Sequence, residues 1–364
     1  MFLLEPFKVG IVGCGNISDI YFKNSISYAA FDIVACADID INRAKRKAEL
    51  YHIPLALSVD ELLDRPDIDL IINLTPPQSH ADIIIESLLH DKHVYSEKPL
   101  AVSLDDGHKI INLAEERNLH VGAAPDTFLG AGIQTCLDVM QQGMIGTPVA
   151  GSAYMMKLGP ERWHADPEFF YQEGGGPLFD MGPYYLTTLI QLLGPIRSVM
   201  AKAKIHPSER RIMKGPKEGN VIDVKTPTHY SGVLEFAKGP IVSMTMSFDV
   251  PATDMPFIEI YGSEGTLKVP DPNTFGGPVL VKKKGEEKWE EVQLTYPHTE
   301  NSRGLGVVHM VDSIQKQTPF EADGQQALHV LEVMHAFHES SASGKQVLLL
   351  SADTPSSLLE WESK

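Results

Sequence analysis

Cysteine is scarce in this chain, with three among 364 residues. Cys14, Cys36 and Cys136 are odd in number and form no Cys-x-x-Cys pair, which argues against a disulfide framework and against a cysteine zinc site. They read as small buried hydrophobes in a reducing compartment. Long hydrophobic runs are lacking too: none approaches the roughly 20 residues needed to span a bilayer. Residues 1–7 are apolar but too short for a signal peptide and carry no basic leader. A cytoplasmic protein with no membrane partner is expected. Positive charge is also in deficit, 31 Lys and Arg against 48 Asp and Glu, for a formal net charge of -17. That balance excludes the basic face a nucleic-acid partner would need. It also disfavours highly anionic substrates unless Lys and Arg gather at the site.

What is present is a globular composition, 43% hydrophobic and 22% charged, on a chain long enough for two domains. The first third alternates short apolar runs (residues 8–13, 33–37, 70–74, 93–95 and 118–123) with helical patterns (19–28, 42–51, 79–90 and 103–117). Such alternation predicts an α/β, doubly wound parallel (Rossmann) sheet covered on both faces. After Ala124-Pro125 the rhythm changes. A helix over 130–142 is followed by a Gly-rich segment, a second helix ending at Gly194, and strand-like runs at 199–205, 229–236, 241–248, 257–261, 266–269 and 279–282. Gly, Pro and Asp turns separate them, as in a large, mostly antiparallel open sheet. Residues 214–220 read as an exposed excursion, and an amphipathic helix over 324–341 follows. The expected domains are 1–124, dinucleotide-binding, and 125–364, an α+β domain for substrate and oligomerisation.

The first strand runs into Gly13-Cys-Gly15-Asn16-Ile17-Ser18 and then a helix, the context a dinucleotide fingerprint requires. Gly13 permits the tight turn, Gly15 admits the pyrophosphate, and the helix start at Asn16 and Ile17 offers N–H groups and the positive dipole end. Ser18 stands where a third glycine is usual; its hydroxyl is in range of a phosphate. Asp38, closing the second strand, has the spacing of the acid that binds the adenosine ribose, which favours NAD over NADP. Arg43 blurs that preference, since it could cover the adenine or lie on an open helix face. Asp38 as a plain turn residue is the competing reading.

With Glu97-Lys98-Pro99 after the fourth strand, the chain resembles the glucose–fructose oxidoreductase and inositol dehydrogenase (Gfo/Idh/MocA) family. The other motifs in the family's order are Gly13-Cys-Gly15, Thr75-Pro76-Pro-Gln-Ser-His80 and Gly174-Gly-Gly-Pro-Leu-Phe-Asp180-Met-Gly-Pro-Tyr184. The resemblance implies an NAD(P)-dependent dehydrogenase or reductase acting on a CH–OH group of a sugar, polyol or related compound. It implies that Lys98 contacts the reacting oxygen, that Glu97 bonds the cofactor near its nicotinamide ribose, and that the Lys98–Pro99 peptide is cis. Thr75, Pro76 and His80 would line the nicotinamide side, although His80 could equally be a helix-start residue. Asp180 and Tyr184, four apart, share a helix face. Many family members carry His where Tyr184 stands. A phenol near an ammonium has its pKa lowered, so Tyr184 would exchange a proton with the substrate oxygen. Against this, Asp180 could be an N-cap and Tyr184 a packing residue. Tyr185, five residues from Asp180, would point elsewhere.

His164, in the Trp163–Asp166 loop that the family places near the substrate, is a candidate hydroxyl partner. Asp126 would contact nicotinamide or substrate. His335 and His338 are weighed as metal ligands and set aside in favour of an exposed polar face. A homo-oligomer, dimer or tetramer, is implied by resemblance alone. The rival functions are a cofactor-recycling sugar-modifying enzyme, of epimerase or glycosidase type, and a non-catalytic dinucleotide-binding regulator.

Overall fold

The structure is a computed structural model that describes residues 5–353. Its elements in chain order are β1 (Phe7–Val12), α1 (Ser18–Ser25), β2 (Phe31–Ala37), α2 (Ile41–Tyr51), β3 (Leu55–Leu57), α3 (Val59–Leu63), β4 (Leu70–Asn73), α4 (His80–Leu89), β5 (His93–Ser96), α5 (Leu104–Arg117) and β6 (Val121–Ala123). There follow α6 (Ala131–Gln141), β7 (Pro148–Met156), α7 (Gly176–Leu193), β8 (Ile196–Lys204), β9 (Glu209–Arg211), β10 (Val221–Asp223), β11 (His229–Phe236), β12 (Ile241–Ser247), β13 (Ile258–Gly262), β14 (Gly265–Val269), β15 (Val279–Lys283) and β16 (Glu290–Val292). Helices α8 (Leu305–Lys316) and α9 (Gly324–Ser343) and strand β17 (Val347–Leu348) complete it.

Two compact units divide the chain. The first joins the described residues up to Asp126 with Asn301–Leu328; the second joins Thr127–Glu300 with the described residues from His329 onward. The stretch 301–328 therefore belongs with the dinucleotide-type domain, whereas the sequence placed everything after residue 124 in the second. Its anchor is a short antiparallel contact on β6, where Gly122 bridges Asp323 and the Ala123 N–H donates to the Ala322 carbonyl (3.0 Å). This covers what would be an open sheet edge.

In the first unit six parallel strands stand in the order β3-β2-β1-β4-β5-β6. Strands β1 and β4 are buried along nearly their whole length, as a sheet covered on both faces demands. One side of the core packs Val12, Ala35, Ala37, Leu62, Leu63, Ile68 and Ile71 together. Helix α5 starts as its sequence predicts, with the Ser103 hydroxyl accepting from the Asp106 N–H at 3.1 Å.

The second unit is built on a nine-stranded sheet, β16-β15-β14-β13-β7-β12-β11-β8-β17, antiparallel except where β12 runs parallel to β7. Strand β7 occupies the middle and was not legible in the sequence. Its Pro148-Val-Ala-Gly-Ser-Ala-Tyr-Met-Met156 is short of β-branched residues because neighbouring strands crowd it: a Cβ on Gly151 would lie 2.8 Å from the Glu259 carbonyl oxygen. Helix α7 lies along this sheet and is buried over most of its 18 residues. No helix among the described residues is long and apolar enough to cross a membrane.

Two buried aspartates hold helix starts in the first unit. Asp126 Oδ2 accepts from the N–H groups of Gly304 (2.8 Å) and Gly306 (3.1 Å), at the start of α8. Asp323 Oδ1 accepts from the Gln326 N–H (2.7 Å), in the first turn of α9. Helix N-termini favour a carboxylate, yet burial outweighs the donors and pushes both groups up to about 6. The folded state thus binds these protons more tightly than the unfolded chain. The associated stability is complete below the unfolded pKa and is lost as pH rises through 6, by about 3 kcal/mol for each group. Asp126→Asn should match the parent protein within about 1 kcal/mol at pH 4 and gain on it progressively to pH 7. Urea unfolding across that range checks this, and a difference independent of pH would contradict it.

Candidate functional site

In the first unit the candidate residues stand at the carboxyl ends of adjacent parallel strands: Gly13 after β1, Asp38 after β2, Thr75 after β4, and Glu97 and Lys98 after β5. Open α/β sheets bind ligands at this end. Gly13 has φ +100, and a Cβ there would sit 2.6 Å from the Leu74 carbonyl carbon. Only glycine serves that turn. A Cβ on Gly15 would meet nothing within 4 Å, so its backbone is open to a close ligand. Asn16 and Ile17 are exposed where α1 begins. Ser18 does not reach toward a phosphate: it is fully buried and its hydroxyl donates to the Gly15 carbonyl (2.7 Å). The missing third glycine has become an internal clasp of the turn.

Asp38, 6% exposed, is fixed from two sides. The Cys14 N–H donates to Oδ2 (2.8 Å) and the Asp40 N–H to Oδ1 (2.9 Å). Arg43, half-exposed, lies 3.3 Å from the same carboxylate. A carboxylate has about four lone-pair sites; the long, half-exposed Arg43 contacts to both oxygens (3.3 and 3.4 Å) are the ones a ribose hydroxyl could displace.

The Thr75 and Lys98 loops are tied together through buried polar groups. Asn73 Oδ1 accepts from the Thr75 hydroxyl (2.7 Å) and its Nδ2 donates to Ser96 Oγ (3.2 Å). His80 was expected among the cofactor contacts, but it is 1% exposed, with Nδ1 2.6 Å from the Pro99 carbonyl oxygen and Nε2 2.8 Å from that of Thr75. It braces the two loops instead. Burial lowers its pKa, and the two carbonyls pull the other way. Lys98–Pro99 is cis, as the resemblance implied. Lys98 is half-buried, while Pro76 is exposed and Thr75 half-buried. Glu97 is buried; Oε1 accepts from the Tyr21 hydroxyl (3.0 Å) and Oε2 from the Lys98 N–H (3.2 Å). The Tyr21 partnership was not foreseen, because a phenol on a helix face carries no local signal. Asp126, 1% exposed, is a cap for α8 rather than the expected cofactor or substrate contact.

In the second unit Asp180 and Tyr184 lie inside α7, whose N-cap is Gly175. This removes the N-cap reading of Asp180 and leaves both groups on one helix face. Asp180 is half-buried and Tyr184 is 7% exposed. Tyr185 is turned away, its hydroxyl donating to the Tyr154 carbonyl (3.3 Å), and burial raises its pKa. His164 is half-buried in the 160–167 loop; its Nδ1 accepts from the Asp166 N–H (3.1 Å). His335 and His338 are half-buried, not an exposed face: both rings stand edge-on to Phe179, and His338 Nε2 lies 3.0 Å from the Tyr230 hydroxyl. Among the described residues no group of three or more His, Cys, Asp or Glu is placed to hold a metal ion.

A dinucleotide fits this first unit on its own geometry: a glycine turn that no side chain could occupy, an open Gly15 and a fixed acid at the next strand end. Comparison with known proteins agrees. Residues 7–124 match the model described as oxidoreductase family, NAD-binding Rossmann fold, and residues 133–268 match the GFO/IDH/MocA C-terminal domain. A dTDP-3,4-didehydro-2,6-dideoxy-alpha-D-glucose 3-reductase of Saccharopolyspora spinosa is 32% identical over 200 residues, 53% of this chain and 58% of that enzyme. An uncharacterized protein of Saccharomyces cerevisiae is 27% identical over 93% of this chain and 97% of its own. Levoglucosan dehydrogenase, solved with NADH and L-sorbose, superposes with a TM-score of 0.82 at 19% identity, covering 96% of this chain and 100% of that one. An Agrobacterium radiobacter oxidoreductase solved with NAD+, L-tartaric acid and magnesium gives 0.76 at 20% identity, covering 94% and 98%. With both halves matched and the dinucleotide turn in place, the chain belongs to the GFO/IDH/MocA family and is an NAD(P)-dependent oxidoreductase.

Proposed function

We propose that this enzyme moves hydride to or from a secondary alcohol or ketone carbon of a sugar or polyol, with NAD as the preferred cofactor. The observation that carries the reading is the row of Gly13, Asp38, Thr75 and Lys98 along the carboxyl ends of β1, β2, β4 and β5. Gly13, Gly15, Asn16 and Ile17 would hold the pyrophosphate, Asp38 with Arg43 the adenosine ribose, and Thr75, Pro76 and Glu97 the nicotinamide side. When bound, the nicotinamide supplies the hydride acceptor or donor. Lys98 then holds the substrate oxygen and stabilises its developing negative charge. Tyr184 takes the hydroxyl proton in the oxidising direction and returns it in the other, and Asp180 orients the substrate or the phenol. His164 donates to a further hydroxyl. The relatives named for sugar substrates support this choice.

Lys98→Ala combined with Tyr184→Phe should lower kcat/KM at least about 1,000-fold while leaving NADH affinity within a few-fold. Near-normal turnover on a panel of monosaccharides, inositols and trans-diols, followed by NADH absorbance, would remove both residues from the chemistry. Product formed without net NADH would instead identify a recycled cofactor.

Asp38→Asn keeps an acceptor for the Cys14 N–H and removes the charge that repels a 2′-phosphate. The ratio of NADPH to NADH dissociation constants should fall by about tenfold or more. A ratio unchanged from the parent protein contradicts the role of Asp38.

We also propose a homo-oligomer that uses the open face of the nine-stranded sheet. Register puts Met200 beside Val233, and Ala150 between Ile241 and Tyr261; Met200, Val233 and Ile241 are 55, 43 and 52% exposed. Val233→Glu should yield monomers in sedimentation velocity, and an unchanged sedimentation coefficient would count against this face.

A further inference from the structure

Helix α1 leaves the glycine turn carrying Tyr21, a phenol that is 2% exposed. Its hydroxyl donates at 3.0 Å to Glu97 Oε1, 76 positions away and just past the end of β5. Tyr28 and Tyr185 settle for main-chain acceptors, the Ser302 and Tyr154 carbonyls. Tyr171 also donates to a buried carboxylate, but that of Glu161 is balanced by the Arg210 guanidinium. Glu97, 8% exposed, is held by neutral donors, the Tyr21 hydroxyl and the Lys98 N–H (3.2 Å). Burying an ionised carboxylate is costly, and a carbonyl would satisfy the phenol without that cost. A charge kept at position 97 on such donors points to a ligand that takes up its remaining lone pairs.

The phenol is mounted firmly. A turn further along α1, Asn24 Nδ2 donates to the Asn301 and Arg303 carbonyls at 2.9 Å each. A Cβ on Gly304 would lie 3.8 Å from the Tyr21 ring and 3.2 Å from that of Tyr28. Residues 301–304 thus form a strap across α1, and Asp126 ties its end through the Gly304 N–H (2.8 Å). Burial, then the Glu97 and Asp126 carboxylates, push the Tyr21 pKa well above the ordinary phenol value. The hydroxyl stays protonated and donates.

We infer that Tyr21 is a positioning residue for the dinucleotide: its hydroxyl fixes the direction of the Glu97 carboxylate, whose free side then receives the hydroxyls of the second ribose. Tyr21 is too deeply buried to touch the cofactor and acts through Glu97. This role rests on the proposed contact between Glu97 and the nicotinamide-side ribose. One hydrogen bond would then join the helix at the pyrophosphate end to the loop of Lys98, since Glu97 also accepts from the Lys98 N–H.

The parent protein and its variants are titrated by calorimetry with ADP, which ends at the second phosphate, with ADP-ribose, which adds the second ribose, and with NADH. Tyr21→Phe keeps the ring beneath the strap and removes only the donor. It should weaken ADP-ribose and NADH about tenfold, the order of one hydrogen bond to a charged group, and leave ADP within about twofold. Glu97→Ala should show the same split between ligands. The double variant should bind ADP-ribose within about twofold of Glu97→Ala alone, because the hydroxyl acts through the carboxylate. Loss of ADP along with ADP-ribose in Tyr21→Phe would assign the hydroxyl to the fold of the turn. Additive losses in the double variant would give Tyr21 an effect that does not pass through Glu97. Either result overturns the positioning role. A silent Tyr21→Phe beside a Glu97→Ala that shows the split overturns that role alone. No split in Glu97→Ala removes the ribose contact and the role of Tyr21 together.

Discussion

The turn at Gly13 is the constraint on which the first unit depends. With a positive φ the chain passes so near the end of β4 that a Cβ on Gly13 would lie 2.6 Å from the Leu74 carbonyl carbon, so β1 and β4 can deliver their following loops side by side. The conformation alone costs an L residue about 1–2 kcal/mol, and the close approach adds a displacement of backbone, which cannot rotate away as a side chain can. Once the turn is set, the Cys14 N–H faces Asp38 and orients the acid. The Leu74 side continues into Thr75, which Asn73 and His80 hold against the Pro99 carbonyl. Gly13, Asp38, Thr75 and Lys98 are therefore positioned by one continuous set of backbone contacts and buried hydrogen bonds.

The second unit solves a different problem. Its helix α7, which carries Asp180 and Tyr184, is buried over most of its length, and a broad sheet supplies the surface on which it rests. Burial removes neighbouring alternatives: the Tyr185 hydroxyl is engaged by Tyr154. The loop that precedes α7 buries Phe170 and Tyr171. Ion pairs between Glu161, Arg210 and Asp249 add to that packing, and buried charges of this kind contribute a defined shape more than stability.

Much of this was legible in the sequence because the signals were local. Alternating apolar runs and helical patterns fixed the parallel sheet, and Gly13 and Asp38 announced themselves by position. Strand β7 was missed because its middle position favours small residues over the β-branched ones that mark a strand. The return of residues 301–328 to the first unit was missed because its anchors, Asp126 to Gly304 and Gly122 to Asp323, join positions far apart in the chain. For the same reason His80 and Asp126 looked like ligand contacts when they are braces. A buried polar side chain and a binding one have the same letter; only its partners distinguish them.

Everything at the carboxyl ends of β1 and β2 turns on whether this glycine turn and acid hold a dinucleotide. The most direct measurement is a titration of the purified parent protein with NADH and, separately, NADPH, followed by the change in nucleotide fluorescence. Saturable binding of one NADH per chain, tighter than that of NADPH, is the predicted result. Saturation by neither nucleotide would mean that the Gly13 turn and Asp38 do not form that site.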